Sequence, residues 1–243
     1  MIKKSKKRIL KKKDNFLVGN FKCSLAYLKK SKSYIWFSFI LFLIIALFGY
    51  FFPVLFKEEV MELVKNLINQ TEGLNGIELI LFIINNNMTS SFYGLILGLA
   101  LGIIPIGVIL VNGYVLGFVA NKAVATGGIF ILWKLFPHGI FEIPAVMISL
   151  GIGIKLGISL VNNLVLFYNP KAKKSFLYSS VIISMLLAII SFPVIFIITL
   201  LNKHLRTKLF LNLIESIRVF FLIVIPLLII AGIIEGSLIW LFR

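Results

Sequence analysis

The sequence predicts an all-α membrane protein, a polytopic bundle of about six transmembrane helices. Of its 243 residues, 60% are apolar and only 14% are charged, whereas about a quarter of the residues of a typical soluble domain are charged. A fold of this size cannot bury so many apolar side chains, so lipid must cover much of its surface. Two apolar stretches, 34–52 and 219–242, are each long enough to cross a hydrocarbon core about 30 Å thick.

The net charge of +16 is concentrated near the N-terminus, where residues 1–33 hold twelve of the 25 lysines and arginines and a single acid. A basic segment before a span stays in the cytoplasm and contacts anionic lipid headgroups. Such a run also suggests nucleic-acid binding, but no aromatic side chain lies among the lysines of 3–13 and no nucleic-acid motif accompanies them. We therefore expect 1–33 to be a cytoplasmic arm with an interfacial helix, and we expect no nucleic-acid partner. Residues 34–243 are predicted to be the transmembrane domain of a multi-pass plasma-membrane protein.

The spans are predicted from the apolar runs and from the prolines that interrupt them. The first span ends at Pro53, and the long apolar stretch that contains Pro105 is divided in two. A helix outside the membrane is predicted over 57–70, where apolar residues recur at helical spacing and three glutamates lie in the first turns. In chain order, the six predicted spans are 34–52, 87–105, 106–125, 138–166, 176–200 and 219–242.

The segment 202–218 conflicts with this topology. Six spans place it outside the cell, yet it carries four lysines and arginines against one acid, Glu215. The positive-inside rule prefers such a segment on the cytoplasmic side. The alternative is five spans, with 176–200 as a re-entrant segment. Because 176–200 is too short to cross the membrane twice, six spans are the first expectation.

Small residues recur at every fourth position in three of the predicted spans, and residues four apart share one helix face. Glycine on such a face lets two backbones approach closely. The pattern predicts that spans two to four form a tightly packed core, and a lipid-facing or flexible surface is the alternative. The stripes are Gly94, Gly98 and Gly102 in the second span, Gly113, Gly117 and Asn121 in the third, and Ala145, Ser149, Gly153 and Gly157 in the fourth.

Ionisable residues within the spans are candidates for function. His138 and Glu142 lie four residues apart, on one face of the fourth span. Two ligands are too few for a metal site, so we expect no metal and no cofactor. A proton relay is one role for this pair; the simpler role is a mutual contact in which Glu142 also stabilises the positive end of its helix. Glu235 in the last span needs a partner, and in a six-span topology Lys155 is the candidate.

The uncharged polar residues of the spans form no catalytic pattern. The asparagines at 85–87 and Asn112 are expected to cap or bridge helices, with a polar path as the alternative. The chain has no G-x-S-x-G, no H-E-x-x-H and no phosphate loop with its lysine. We therefore expect that the protein is not an enzyme.

Three short motifs are similar to those of a known family. They are Asn112-Gly113 followed by Gly117, the block P-H-G-I-F-E-I-P-A that includes Pro137, His138, Gly139 and Glu142, and Ile234-Glu235-Gly236. Together they resemble stage II sporulation protein M and its archaeal relatives, over about 34–167 and 212–240. Residues 176–205 look like an insertion relative to shorter members.

The resemblance implies an all-helical membrane protein that works beside other proteins. In spore-forming bacteria the family member is the membrane-embedded partner of a pair of cell-wall hydrolases and is not itself a hydrolase. We therefore expect a non-enzymatic scaffold that positions other envelope proteins, with helix 57–70 as its external docking face and with a homo-oligomer as a further option. The alternative is a transporter or permease-like subunit. A continuous polar cavity that joins the polar residues would favour transport, because a scaffold needs none.

Overall fold

The computed structural model describes the backbone of residues 16–168 and 188–241, together with their side chains except at 133–138, 163–168 and 188–192. These residues form helices joined by short turns, and no strand occurs among them. The predicted all-α membrane bundle is thereby confirmed. In chain order its helices are α1 (Phe16–Phe51), α2 (Lys57–Thr71), α3 (Gly76–Ile96), α4 (Ile103–Gly127), α5 (Phe136–Tyr168), α6 (Ala188–Leu201), α7 (Lys203–Val219) and α8 (Ile225–Leu241).

Five segments within these ranges are long and apolar enough to cross a membrane. Four of them belong to α1, α3, α4 and α5. The fifth runs without interruption from Lys203 to Leu241, because one π-helical turn, Phe220–Val224, joins α7 to α8. The first and last segments have 36 and 39 residues, and a bilayer needs only about 20. Both therefore extend well beyond the hydrocarbon.

The two ends of the bundle differ in charge. α7 lies beside the first turns of α1, where the Tyr27 hydroxyl is 3.1 Å from Ser216 Oγ and 3.4 Å from the Asn212 carbonyl oxygen. The basic residues of α7 thus lie at the same end of the bundle as residues 16–33, and we call this the basic end. The opposite end, which carries α2 and its glutamates, is the far end.

The last span runs from the basic end to the far end. Gly76, the first residue of α3, packs against the ring of Trp240 near the end of α8. α5 returns to the basic end, because Lys155 reaches Ser31 of α1. The described part of α5 thus ends at the basic end, where α7 begins.

The expectation that 202–218 lies on the opposite side from the N-terminal arm is therefore wrong. Five spans fit the described residues, and the basic charge of 202–218 indicated the correct side. Much of the predicted span 176–200 lies outside the described residues. Its last part is α6, which packs against α5 and α7.

The second span begins at Gly76, well before the predicted position 87. The Asn75 side-chain oxygen accepts hydrogen bonds from the backbone N–H groups of Ile77 and Glu78, and the Glu78 carboxylate accepts from the Asn75 N–H at 2.9 Å. This capping box satisfies donors that a helix start otherwise leaves unpaired. The asparagines at 85–87 consequently lie inside α3, so they do not cap it.

α5 is the central helix of the bundle. It packs against α1 and α4, which form one close pair, and against α3 and α8, which form another. Ala145, Leu150 and Ile152 have no exposed surface. The two pairs are thus held on either side of α5.

Glycines set the distance between α3 and α5. A Cβ atom on Gly153 would lie 2.5 Å from the Gly94 carbonyl oxygen, and Gly98 faces Gly153 from the other helix. Gly157 packs in the same way against the Leu101–Gly102 turn, where both residues have positive φ. The small residues of the second and fourth spans therefore meet each other.

The small residues of α4 face α1 and not α3 or α5. A Cβ atom on Gly113 would lie 3.0 Å from the Phe42 carbonyl oxygen, and Gly117 contacts Ala46. One turn further, the Asn121 amide donates to the Tyr50 carbonyl at 3.0 Å. The close packing expected among spans two to four thus includes the first span as well.

Replacing Gly153 with alanine tests the contact between α3 and α5. We expect Gly153→Ala to lower the free energy of unfolding by about 2 kcal/mol, because the added methyl group overlaps the backbone of α3. Gly107→Ala is the matched control, since nothing lies within 4 Å of a Cβ atom there and alanine favours a helix interior. Thermal unfolding in detergent measures both. Equal shifts in the two variants would contradict the role of Gly153.

Labelling of single cysteines tests the position of α7. In a Cys23→Ser background, Thr207→Cys and Glu62→Cys place one thiol on α7 and one on α2. We expect a membrane-impermeant maleimide to reach position 207 only from the side that carries the N-terminus, and position 62 only from the other side. Labelling of both thiols from one side of sealed vesicles would rule out the five-span topology.

Candidate functional site

A polar cavity of about 240 Å³ lies between the α1–α4 pair and the α3–α8 pair, and it opens to the surface at Asn86, Ser90 and Asn112, which are exposed. α5 forms its back wall, through the face that carries Gly139, Glu142 and Val146. Apolar side chains of α1, α4 and α5 complete the lining. The polar residues that line it are Asn86, Asn87, Ser90, Asn112, Glu142 and Glu235.

Two acids from different helices meet in this cavity. Glu142 of α5 and Glu235 of α8 both line it, and both side chains are partly buried. Glu235 Oε2 is buried and has no hydrogen-bond partner among the described residues. Two ionised carboxylates in one partly buried site repel each other, so the pair favours a state in which it holds a proton or a cation.

Glycines of α8 bring Glu235 to the cavity. Gly236 packs against Ile80 and Gly232 packs against Ile84, so α8 lies directly on α3. Glu235 immediately precedes Gly236 and lies three residues after Gly232, within one turn of the helix. A larger side chain at either position would push α8 away from α3 and so displace the Glu235 carboxyl group.

The amides of the cavity come from α3 and α4. Asn86, Asn87 and Ser90 recur at helical spacing, so they share one face of α3. On α4, the Asn112 amide donates to the Val108 carbonyl at 2.8 Å, which uses one of its hydrogens within its own helix and leaves its oxygen as an acceptor. The lining thus offers carboxyl, amide and hydroxyl oxygens.

Four of the predicted candidates meet here, and two predictions about them are wrong. Asn112, Gly139, Glu142 and Glu235 line one cavity. Lys155 is not the partner of Glu235: its ammonium donates to Ser31 Oγ near the basic end. Glu235 accordingly lies toward the far end of α8 and not toward the cytoplasmic end of a sixth span. The error followed from the span count, because an even number of spans reverses the direction of the last helix.

Other candidates lie elsewhere. The side chains of Pro137 and His138 are outside the described residues, so the proposed contact of His138 with Glu142 is not described. The glycines of the three stripes lie at helix contacts, apart from the cavity. Ser90 was overlooked, and its spacing from Asn86 was the signal for it. Within the part of the chain that is described, no three residues among His, Cys, Asp and Glu gather where they could hold a metal ion.

Comparison with known proteins identifies related sequences. The sequence model of the family described as stage II sporulation protein M matches residues 38–238, a range that overlaps all five spans and includes both acids of the cavity. An uncharacterized protein of Methanocaldococcus jannaschii, MJ0706, is 34% identical over 129 residues, which cover 52% of this chain and 55% of that protein. The chain therefore spans about half the length of the curated relative that it matches. No solved structure matches the chain.

Proposed function

Starting from the fact that this chain belongs to the stage II sporulation protein M family, we propose that it is a non-enzymatic transport component that binds a small cation inside its helix bundle. The single observation that carries this proposal is the cavity at Glu142 and Glu235. It joins polar side chains of four helices in an otherwise apolar bundle. A scaffold needs no such cavity, so its presence supports transport ahead of a purely structural role.

The charge of the lining favours a cation. Two carboxyl groups and the amide oxygens of asparagines line the cavity, and no lysine, arginine or histidine is among the described residues that do so. Oxygen ligands of this kind suit small, hard cations. Ionisable residues within a membrane commonly mark ion and proton pathways.

The proton in the carboxyl pair suggests how binding would be coupled. Glu142 and Glu235 repel each other when both are ionised, so a shared proton or a cation bound between them stabilises the site. A cation that enters the cavity replaces this proton, which leaves the site as the cation binds. The cavity thus supports exchange of a proton for a cation of equal charge.

The distribution of charge indicates which side of the membrane the cavity is nearer to. With the basic end in the cytoplasm of a plasma-membrane protein, as the positive-inside rule prefers, α2 lies outside the cell. The cavity is nearer to the outer surface, because Glu235 lies toward the far end of α8. On this reading the site exchanges with the external side more readily than with the cytoplasm.

Positioning of other envelope proteins is the second candidate function, and α2 favours it. Met61, Leu67 and Ile68 expose 37%, 44% and 57% of their surface at the far end, while Val60 alone is buried in α2. Exposed apolar side chains on an amphipathic helix suit either the outer headgroup layer or a partner protein. Such a partner is another envelope protein or a second copy of this chain.

Replacing the acids of the cavity tests cation binding. We expect Glu142→Gln and Glu235→Gln each to reduce cation-dependent proton flux in proteoliposomes at least tenfold, because the amide cannot exchange a proton. Sodium and potassium gradients with a pH-sensitive dye inside the vesicles provide the measurement. Glu62→Gln on α2 is the control and should leave the flux unchanged.

The outcome separates the two candidate functions. If the unaltered protein carries no cation-dependent proton flux, or if Glu142→Gln and Glu62→Gln behave alike, the transport proposal fails. Folding of each variant is checked by its thermal unfolding in detergent, so that a lost flux is not confused with a lost fold.

Substitutions on α2 test the second candidate. We expect Leu67→Ser and Ile68→Ser to release any envelope protein that co-purifies with the tagged chain from its native membrane, since both remove exposed apolar surface. Lys65→Ser, on the same exposed helix, is the matched control. Mass spectrometry of the purified complexes gives the stoichiometry. A partner retained in equal amount by all three variants would show that α2 is not the docking face.

A further inference from the structure

A second pocket, of about 420 Å³, lies at the basic end between α1 and α7. Its lining includes Tyr27 and Lys30 of α1, Lys155 of α5, and Asn212 and Glu215 of α7. It is separate from the cavity at Glu142. We call it the basic-end pocket.

Lys155 is the unusual residue of this pocket. It lies in an otherwise apolar stretch of α5, and within the described residues its ammonium forms no ion pair. Nζ donates to Ser31 Oγ at 2.9 Å and lies 3.5 Å from the centre of the Tyr27 ring. An ammonium has three hydrogens. One is used by Ser31 and one faces the ring, so the third can be donated to a ligand in the pocket.

The pocket carries excess positive charge. Glu215 is its one acid among the described residues, and its carboxylate already accepts a hydrogen bond from Arg218 Nη1 at 2.8 Å. Lys30 and Lys155 are then left without a carboxylate of their own. The half-buried Lys155 ammonium, with the exposed ammonium of Lys30 on the same pocket, favours an anion beside them.

The depth of the pocket matches the headgroup layer of a bilayer. The apolar part of α1 begins at Tyr34 and ends at Phe51, a length of about 27 Å at 1.5 Å per residue, which is close to the thickness of the hydrocarbon core. Lys30 and Tyr27 precede Tyr34 by four and seven residues. They therefore lie about 6–10 Å beyond the hydrocarbon, where lipid phosphates are found.

We propose that the basic-end pocket binds the phosphate group of an anionic phospholipid. The phosphate oxygens accept hydrogen bonds from Lys155 at the floor and from Lys30 at the rim. The Tyr27 ring holds the Lys155 ammonium in place from the opposite side. The acyl chains extend along the apolar surface of α1 beyond Tyr34. This is a defined site on the folded bundle, distinct from diffuse attraction of the lysine-rich arm to the membrane surface.

Lipid-dependent thermal stabilisation of the full chain in detergent tests the proposal. Short-chain phosphatidylglycerol, phosphatidylcholine and inorganic phosphate are titrated separately. We expect phosphatidylglycerol to raise the unfolding temperature, and the other two to have little effect. Lys155→Gln and Lys30→Gln should each weaken the apparent affinity for phosphatidylglycerol about fivefold, in line with the contribution of one lysine near a lipid surface.

Lys122→Gln is the matched control. Lys122 also lies over an aromatic ring, 5.6 Å from the centre of Phe118, but it is on α4 near the far end. It should leave the affinity unchanged. If Lys122→Gln weakens binding as much as Lys155→Gln, the attraction is a general effect of charge and the pocket is not a site.

Two further results would overturn the proposal. Equal stabilisation by inorganic phosphate and by phosphatidylglycerol would assign the pocket to a soluble anion, and equal stabilisation by phosphatidylcholine would remove the role of lipid charge. If Lys155→Gln does not fold, Lys30→Gln decides, because Lys30 is exposed and its replacement leaves the bundle packing intact. Unchanged affinity in Lys30→Gln would then contradict the site.

Discussion

Close backbone contact between helices, made possible by glycine, is the constraint on which this bundle depends. Lipid tails are as apolar as leucine, so burial of apolar surface cannot hold helices together within a membrane and direct packing must do so. Gly153 and Gly98 bring α5 against α3, and Gly117 brings α1 against α4. α5 lies between the α1–α4 pair and the α3–α8 pair and separates them on the face that carries Glu142. The polar cavity is the space that this arrangement leaves.

The same packing determines which acids meet. Gly232 and Gly236 let α8 lie on α3, and Glu235 is carried on the turn between them. The position of Glu142 is fixed because α5 is buried further along the helix, at Ala145 and Leu150. Neither carboxyl group has a lysine or arginine beside it in the described cavity, so each has the other as its neighbour. Two acids that repel each other when ionised therefore share one partly buried site, which favours a proton or a cation between them.

Composition and short motifs were sufficient to predict the fold class and two of the central residues, but not how the helices are paired. The low charge and long apolar runs indicated the membrane, and the residues flanking Glu142 and Glu235 indicated the family. The apolar pattern predicted too late a start for the second span, because the asparagines at 85–87 lower the mean hydropathy in the middle of α3. The Asn75–Glu78 capping box was the local signal for its true start. The direction of α8, and with it the partner of Glu235, depends on whether the number of spans is odd or even. Hydropathy averaged over apolar runs does not determine that number.

The depth of α5 in the membrane is set from both of its ends. Glu142 and Lys155 are thirteen residues apart, about 20 Å along the helix axis, and each is satisfied only where it lies. A shift of α5 toward the far end would draw the Lys155 ammonium away from Ser31 and Tyr27 into the hydrocarbon. A shift the other way would separate Glu142 from Glu235 and break the contact of Gly157 with the Leu101–Gly102 turn. Because a charged or polar group without a partner is costly in lipid, these ionisable side chains at two depths hold the central helix at one position, and with it the polar cavity that it backs.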